Sequence, residues 1–156
     1  MISHIFFIIL LIISAILSVL ISISDFRRRI IPDAYLFPLM LIGLILIGFY
    51  SFPIGIHSAI IGATFGYTMA MIIGWIFDTH MQRTNKNTDT PIGMGDIKLL
   101  GVGGLWLGTN GLAMALIVSC VLGALWARQN KQKFIPFAPF FFIGGFLSFI
   151  INLFLI

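Results

Sequence analysis

Long uncharged apolar runs alternate with short polar windows along the whole chain. Residues 2–24 form the first run, about 23 residues, which at about 1.5 Å of rise per residue crosses a hydrocarbon core of about 30 Å. It lacks the basic start and small-residue cleavage site of a secretory signal, and it ends in Asp25-Phe-Arg-Arg-Arg. The run over residues 34–77 is too long for one crossing. The stretch Tyr50-Ser-Phe-Pro-Ile-Gly55 supplies a turn in its middle, so it reads as two helices. Residues 99–127 read either as one long tilted helix or as two short ones broken at Gly108-Thr-Asn-Gly111. Residues 134–156 supply the last helix, with Pro136 and Pro139 near its start, where a missing N–H costs least.

The charges fall into three windows, residues 25–33, 78–98 and 128–133, and their signs decide the ambiguous stretch. Two helices between the second and third windows put all nine Lys and Arg residues on one membrane face, as cytoplasmic loops prefer, whereas one helix strands Arg128, Lys131 and Lys133 on the other. The expectation is therefore an all-α polytopic membrane protein. It has six transmembrane helices, both termini on the outer side, and one membrane-embedded domain over residues 1–156, placed in the cytoplasmic (inner) membrane. The fourth and fifth helices must then be short. Residues 79–90, rich in Thr and Asn, read as a mobile cytoplasmic loop.

Composition narrows the class further. The 156 residues are 60% hydrophobic and only 9% charged, too little polar surface to cover a soluble globule. The net charge of +4 belongs to loops flanking apolar helices, and no soluble binding module accompanies it, so a nucleic-acid partner is not expected. Membrane lipids are the expected surroundings; the sequence does not give the oligomeric state. The lone Cys120 allows no internal disulfide and reads as buried apolar filler. Gly62, Gly66, Ala70 and Gly74 recur every four residues and read as a packing face for a neighbouring helix.

All five acidic residues are aspartates. Asp25 closes the first helix and Asp96 opens the fourth, which places both at one depth on one side. An acid at such a boundary is a functional candidate by default. Each also has a structural alternative: Asp96 as a helix N-cap, Asp25 as an interfacial acid paired with Arg28 or Arg29. Gly93 and Gly95 flank Met94 ahead of Asp96 and permit close backbone approach. Asp33 reads as the cap of the second helix. Lys98, two positions past Asp96, points to the opposite side of a helix and reads as a structural or headgroup contact. His4 and His57 fall near the outer side, the latter in a loop, and His80 is alone, so no metal site is expected. No Gly-x-Ser-x-Gly or Cys/His pattern supplies a covalent nucleophile.

Three segments carry a resemblance. Asp25-Phe-Arg-Arg-Arg-Ile-Ile-Pro32-Asp33, then Gly93-Met-Gly-Asp-Ile-Lys-Leu99, then Ile135-Pro-Phe-Ala-Pro-Phe140 before a final helix resemble, in order and membrane position, the type IV prepilin peptidases. These are intramembrane aspartic proteases of the Gly-x-Gly-Asp class. The resemblance implies that Asp25 and Asp96 are the catalytic pair, with Gly93, Gly95, Lys98 and Asp33 supporting or binding substrate. It implies a prepilin or pseudopilin substrate whose basic leader is cut at the cytoplasmic boundary, and no cofactor. The family's usual Pro-Phe-Gly-Pro is here Pro-Phe-Ala-Pro, with Ala138 in place of Gly. With one cysteine and no paired Cys-x-x-Cys segment, the chain resembles the short, peptidase-only members rather than those that also N-methylate their product.

Two aspartates hydrolyse an amide without a covalent intermediate by sharing one proton, one acting as base toward water and one as acid toward the carbonyl oxygen. Helix dipoles suggest which is which: a C-terminus disfavours charge on Asp25 and an N-terminus favours it on Asp96, although Arg27 to Arg29 oppose this. Residues 79–95 are the expected moving part that admits substrate. Two other classes fit the same chain. A proton- or ion-coupled carrier requires acids near mid-membrane. A non-enzymatic assembly protein of a secretion or pilus machine requires the glycine face and not the aspartates.

Overall fold

The computed structural model describes residues 2–83, 93–131 and 135–155. Among these the chain is entirely helical: α1 (Ile2–Arg28), α2 (Asp33–Tyr50), α3 (Ile56–Arg83), α4 (Met94–Asn130) and α5 (Phe137–Leu155). The first four are long and apolar enough to cross a membrane, and α5 is apolar over Phe137–Ile151 as well. Large apolar side chains face outward as freely as inward, with Phe49 83% and Trp75 69% exposed. That pattern suits helices surrounded by hydrocarbon rather than water.

The predicted turn between α2 and α3 forms without glycine at its hinge. Ser51 adopts the left-handed conformation (φ 51°), its N–H bonding Ile47 O while Phe52 N–H reaches back to Leu46 O, the paired bonds that close a helix C-terminus. Arg29 and Lys131 take the same conformation at the ends of α1 and α4.

α4 is interrupted. Gly108 has φ 68° and ψ −177°, a conformation that belongs to no helix and that a side chain strains. The two halves fold back on each other: a Cβ on Gly103 would lie 3.7 Å from Leu112 Cδ1, where an unbroken helix would hold the two residues about 13 Å apart along its axis. The break falls at the first residue of the Gly108–Gly111 stretch marked in the sequence.

Contacts at the helix ends order the bundle. Tyr50 Oη donates to Ser3 O, and the Phe52 and Phe149 rings meet at 5.7 Å, so the start of α1, the end of α2 and the last turns of α5 share one end. Asp25, Asp33, Lys98 and Ala138 share the other.

The small-residue face of α3 is the packing surface the sequence marks. Gly62 lies against the Gly104 carbonyl, and a Cβ on Gly66 would sit 2.5 Å from Leu100 O; no side chain fits in either place. Ala70 is 3% exposed. Gly74 has the loosest fit, a Cβ there lying 3.8 Å from Ile97 Cδ1. Under the carboxylate end, Ile21, Leu36, Leu99 and Phe141 form a core shared by α1, α2, α4 and α5. That core fixes the four helix ends that carry the site.

Three local expectations are corrected. Cys120 is exposed on α4 rather than buried, because the apolar exterior accepts a small thiol as readily as a core does. His57 is the second residue of α3 rather than a loop residue. Thr79 to Arg83 continue α3 instead of opening a loop. The rest of that polar stretch, with Lys86 and Asp89, and Lys133 lie outside the described residues.

Candidate active site

Asp25 stands in the last turn of α1 and is only 6% exposed. A buried carboxylate needs donors, and they come from another helix. Ala138 N–H donates to Asp25 Oδ2 at 2.8 Å, with the backbone of Phe137 close beside the carboxylate. The first amides of a helix have no partner within it. Pro136 and Pro139, which bracket these two residues, have no N–H of their own, so the start of α5 presents Phe137 and Ala138 to Asp25. Ala138 itself is fully buried.

Arg29 acts on the Asp25 carboxylate electrostatically from just beyond the helix. Its guanidinium lies 5.9 Å from the Trp126 ring centre, and Trp126 in turn packs against Phe26 and Phe140. The arginine packs on the aromatic cluster while acting on Asp25, whose carboxylate takes a hydrogen bond from α5.

Asp96 is half-buried in the first turn of α4. It is not the N-cap: that position is Gly93, with extended backbone and no side-chain cap bond. The Asp96 carboxylate instead turns back onto the backbone of Gly93, as the third residue of a helix does in a capping box. Gly95 packs on the linker between α1 and α2, where a Cβ would lie only 2.9 Å from Ile31 Cβ. This approach carries the start of α4 to the end of α1. Asp96 consequently lies within the electrostatic reach of Asp25. Like charges so placed repel, which favours one proton held between the two groups.

Asp33 and Lys98 meet each other rather than the carboxylate pair. Lys98 Nζ donates to Oδ1 and Oδ2 of Asp33 at 2.9 and 2.7 Å and sits 5.9 Å from the Phe37 ring centre. The expected capping role of Asp33 is corrected: the N-cap of α2 is Pro32, and no side-chain cap bond forms. Lys98 points away from Asp96, as its two-residue offset requires, and ties the starts of α2 and α4 together.

The donor that sequence reasoning missed is the Ala138 amide. The signal was present in Pro136-Phe-Ala-Pro139, a helix start whose only free early amides are those of Phe137 and Ala138. This donor also corrects the dipole argument. Asp25 lies at the C-terminus of α1 but faces the N-terminus of α5, so both aspartates sit at the positive end of a helix and dipoles do not separate their roles.

The chain matches the model of the type IV leader peptidase family over residues 5–128. It is 31% identical over 132 residues to the prepilin leader peptidase/N-methyltransferase of Xanthomonas campestris pv. campestris, covering 80% of this chain and 44% of that protein. It is 32% identical over 139 residues to the protein of the same description from Aeromonas salmonicida, covering 83% and 45%. The corresponding Pseudomonas putida protein is 30% identical over 134 residues, covering 81% and 44%. The chain therefore spans somewhat less than half the length of these curated relatives. No solved structure matches it.

Proposed function

The chain belongs to the type IV leader peptidase family, and from that premise we propose that it is an intramembrane aspartic endopeptidase that removes the basic leader from type IV prepilins or pseudopilins. Asp25 and Asp96 are its catalytic pair. One observation carries the reading: two aspartates from distant parts of the chain come within electrostatic reach at one end of the bundle, and one is oriented by a main-chain amide. The family relatives whose names include a prepilin leader peptidase supply the substrate class.

In this reading the bundle makes six crossings, α4 counting as two because of the reversal at Gly108. Both termini lie on the outer side and the carboxylate end faces the cytoplasm of the inner membrane, as the clustering of Lys and Arg at that end favours. Asp33 and Lys98 hold the start of α4, and Gly93 and Gly95 let Asp96 approach; all four are supporting residues.

The chemistry follows from the pair. The ionised carboxylate takes a proton from a water molecule, the resulting hydroxyl adds to the scissile carbonyl carbon, and the protonated carboxyl gives its proton to the carbonyl oxygen. Collapse of the tetrahedral species returns a proton to the departing amine. Ala138 N–H bonds Oδ2 of Asp25 and so fixes how the carboxyl group is turned. The carrier reading is disfavoured because both aspartates sit at helix ends rather than mid-membrane.

The test is cleavage of a synthetic prepilin by the purified protein in detergent, with mass spectrometry of the product's new N-terminus. Asp25→Asn and Asp96→Asn each abolish cleavage while the protein stays folded by circular dichroism. Full activity in either variant refutes the proposal, and the product mass reports any methyl transfer as well.

A further inference from the structure

A groove runs along the outside of the bundle between α1 and α5. The cavity nearer the carboxylate end, about 620 Å³, is walled by Ser22 and Phe26 on one side and Pro139 and Ile143 on the other. The next, about 450 Å³, reaches inward to Gly103 and Trp106 of α4. Ser18, Phe142 and Phe146 line both, so the two cavities adjoin along the groove. From Leu11 to Arg27 it follows about 24 Å of helix, most of the depth of a hydrocarbon core.

Two features set this groove apart from the rest of the apolar exterior. The first is where it ends. Phe26 and Pro139 are the immediate neighbours of Asp25 and Ala138, so the groove terminates at the hydrogen bond that orients the catalytic carboxylate. The second is its α1 wall. Ser14, Ser18 and Ser22 recur every four residues, and each hydroxyl donates back to a carbonyl of its own helix, at 2.8, 2.9 and 2.8 Å. The wall is short and its donors are already used, which allows the backbone of another helix to come close without a polar penalty. The cavities accept side chains and not a whole helix of 10–12 Å diameter, so an occupant lies along the groove with one face inserted.

We propose that the α1–α5 groove is the docking track for the apolar membrane helix of the substrate, the segment that follows the scissile bond. The proposal rests on the peptidase reading above and extends it. A helix seated here has its cytoplasmic end at Asp25, where the peptide must leave helical geometry to be cut. After cleavage the trimmed helix leaves sideways into the bilayer.

Single-cysteine cross-linking tests this. In a Cys120→Ala, Asp96→Asn background, Ser22→Cys, Ser18→Cys and Phe146→Cys are oxidised in turn against prepilins carrying one cysteine at successive helix positions. Ile72→Cys on α3, a helix that among the described residues packs on neither α1 nor α5, is the control. The expected result is disulfides at the groove positions only, with substrate cysteines nearer the cut linking to Ser22→Cys and deeper ones to Ser18→Cys. Equal linking at Ile72→Cys, no linking at the groove, or groove links only between two copies of the enzyme overturns the proposal. So does protection of the groove cysteines by lipid in the presence of saturating prepilin.

Kinetics give a second reading. Ser18→Trp raises KM for full-length prepilin about tenfold, while Ile72→Trp leaves KM as it was. A KM unmoved by Ser18→Trp counts against the proposal. Groove links together with a wild-type enzyme that does not cleave defeat the peptidase reading and leave the docking intact. Cleavage without groove links does the reverse.

Discussion

Gly95→Ala tests how the proposed catalytic pair is assembled. The added methyl would sit 2.9 Å from Ile31 Cβ and 3.6 Å from both Ile31 Cγ1 and Ile31 O. Carbon atoms settle at about 3.5 to 4.0 Å, so the two backbones must separate by about 0.6 Å or more. Ile31 is 8% exposed within the core cluster and yields little, so the start of α4 moves and takes Asp96 with it. Overpacking costs about 1–3 kcal/mol, offset by the roughly 0.5–1 kcal/mol that alanine gains over glycine inside a helix. A net loss of about 1–2 kcal/mol leaves the protein folded. Displacing a reacting group on this scale is far more costly to rate, up to about 100-fold. Measured on reconstituted enzyme with a synthetic prepilin, kcat falls about 10- to 100-fold and KM holds. Gly93→Ala, whose Cβ meets, among the described residues, only Asp96 Oδ2 at 3.4 Å, loses much less. The offending atom on Ile31 is Cβ, so Ile31→Ala does not rescue Gly95→Ala and Ile31→Gly does in part. Wild-type kcat in Gly95→Ala, or equal rescue by Ile31→Ala and Ile31→Gly, would refute the reasoning.

Two further perturbations address the scaffold. Asp33→Lys and Lys98→Asp each lower kcat, and the double exchange restores it; because both side chains are substantially exposed, thermal stability shifts by less than about 1 kcal/mol throughout. Gly104→Val drives a side chain into the Gly62 carbonyl and the Ala63 amide, backbone that cannot step aside, and lowers stability by about 3 kcal/mol or more in thermal melts. Gly48→Val, with nothing within 4 Å, is the neutral comparison.

Helix positions were legible because hydrocarbon demands long uncharged runs, and polar breaks between them are correspondingly sharp. The turn at residues 50–55 and the reversal at Gly108 were both marked by local composition. The glycine face of α3 was legible for a similar reason: a four-residue period survives in the sequence whatever helix it meets. What the sequence hid were partners. The bond from Ala138 to Asp25 joins residues 113 apart, and the Asp33–Lys98 pair residues 65 apart; neither leaves a local period. The residues that close helices carried no mark in the sequence, since Arg29, Ser51 and Lys131 rather than glycines adopt the left-handed conformation there. The dipole argument about the two aspartates was incomplete for the same cause, because the helix facing Asp25 is not the one that carries it.

The amide that orients Asp25 belongs to the main chain, and this has a consequence for how its role can be detected. A conventional alanine scan passes over position 138 altogether, since the residue there is already alanine. Replacing that one peptide link with an ester, by incorporating lactic acid in place of alanine, exchanges the N–H donor for an oxygen while leaving every side chain as it was. Such an exchange isolates the contribution of a contact that no genetically encoded side chain makes.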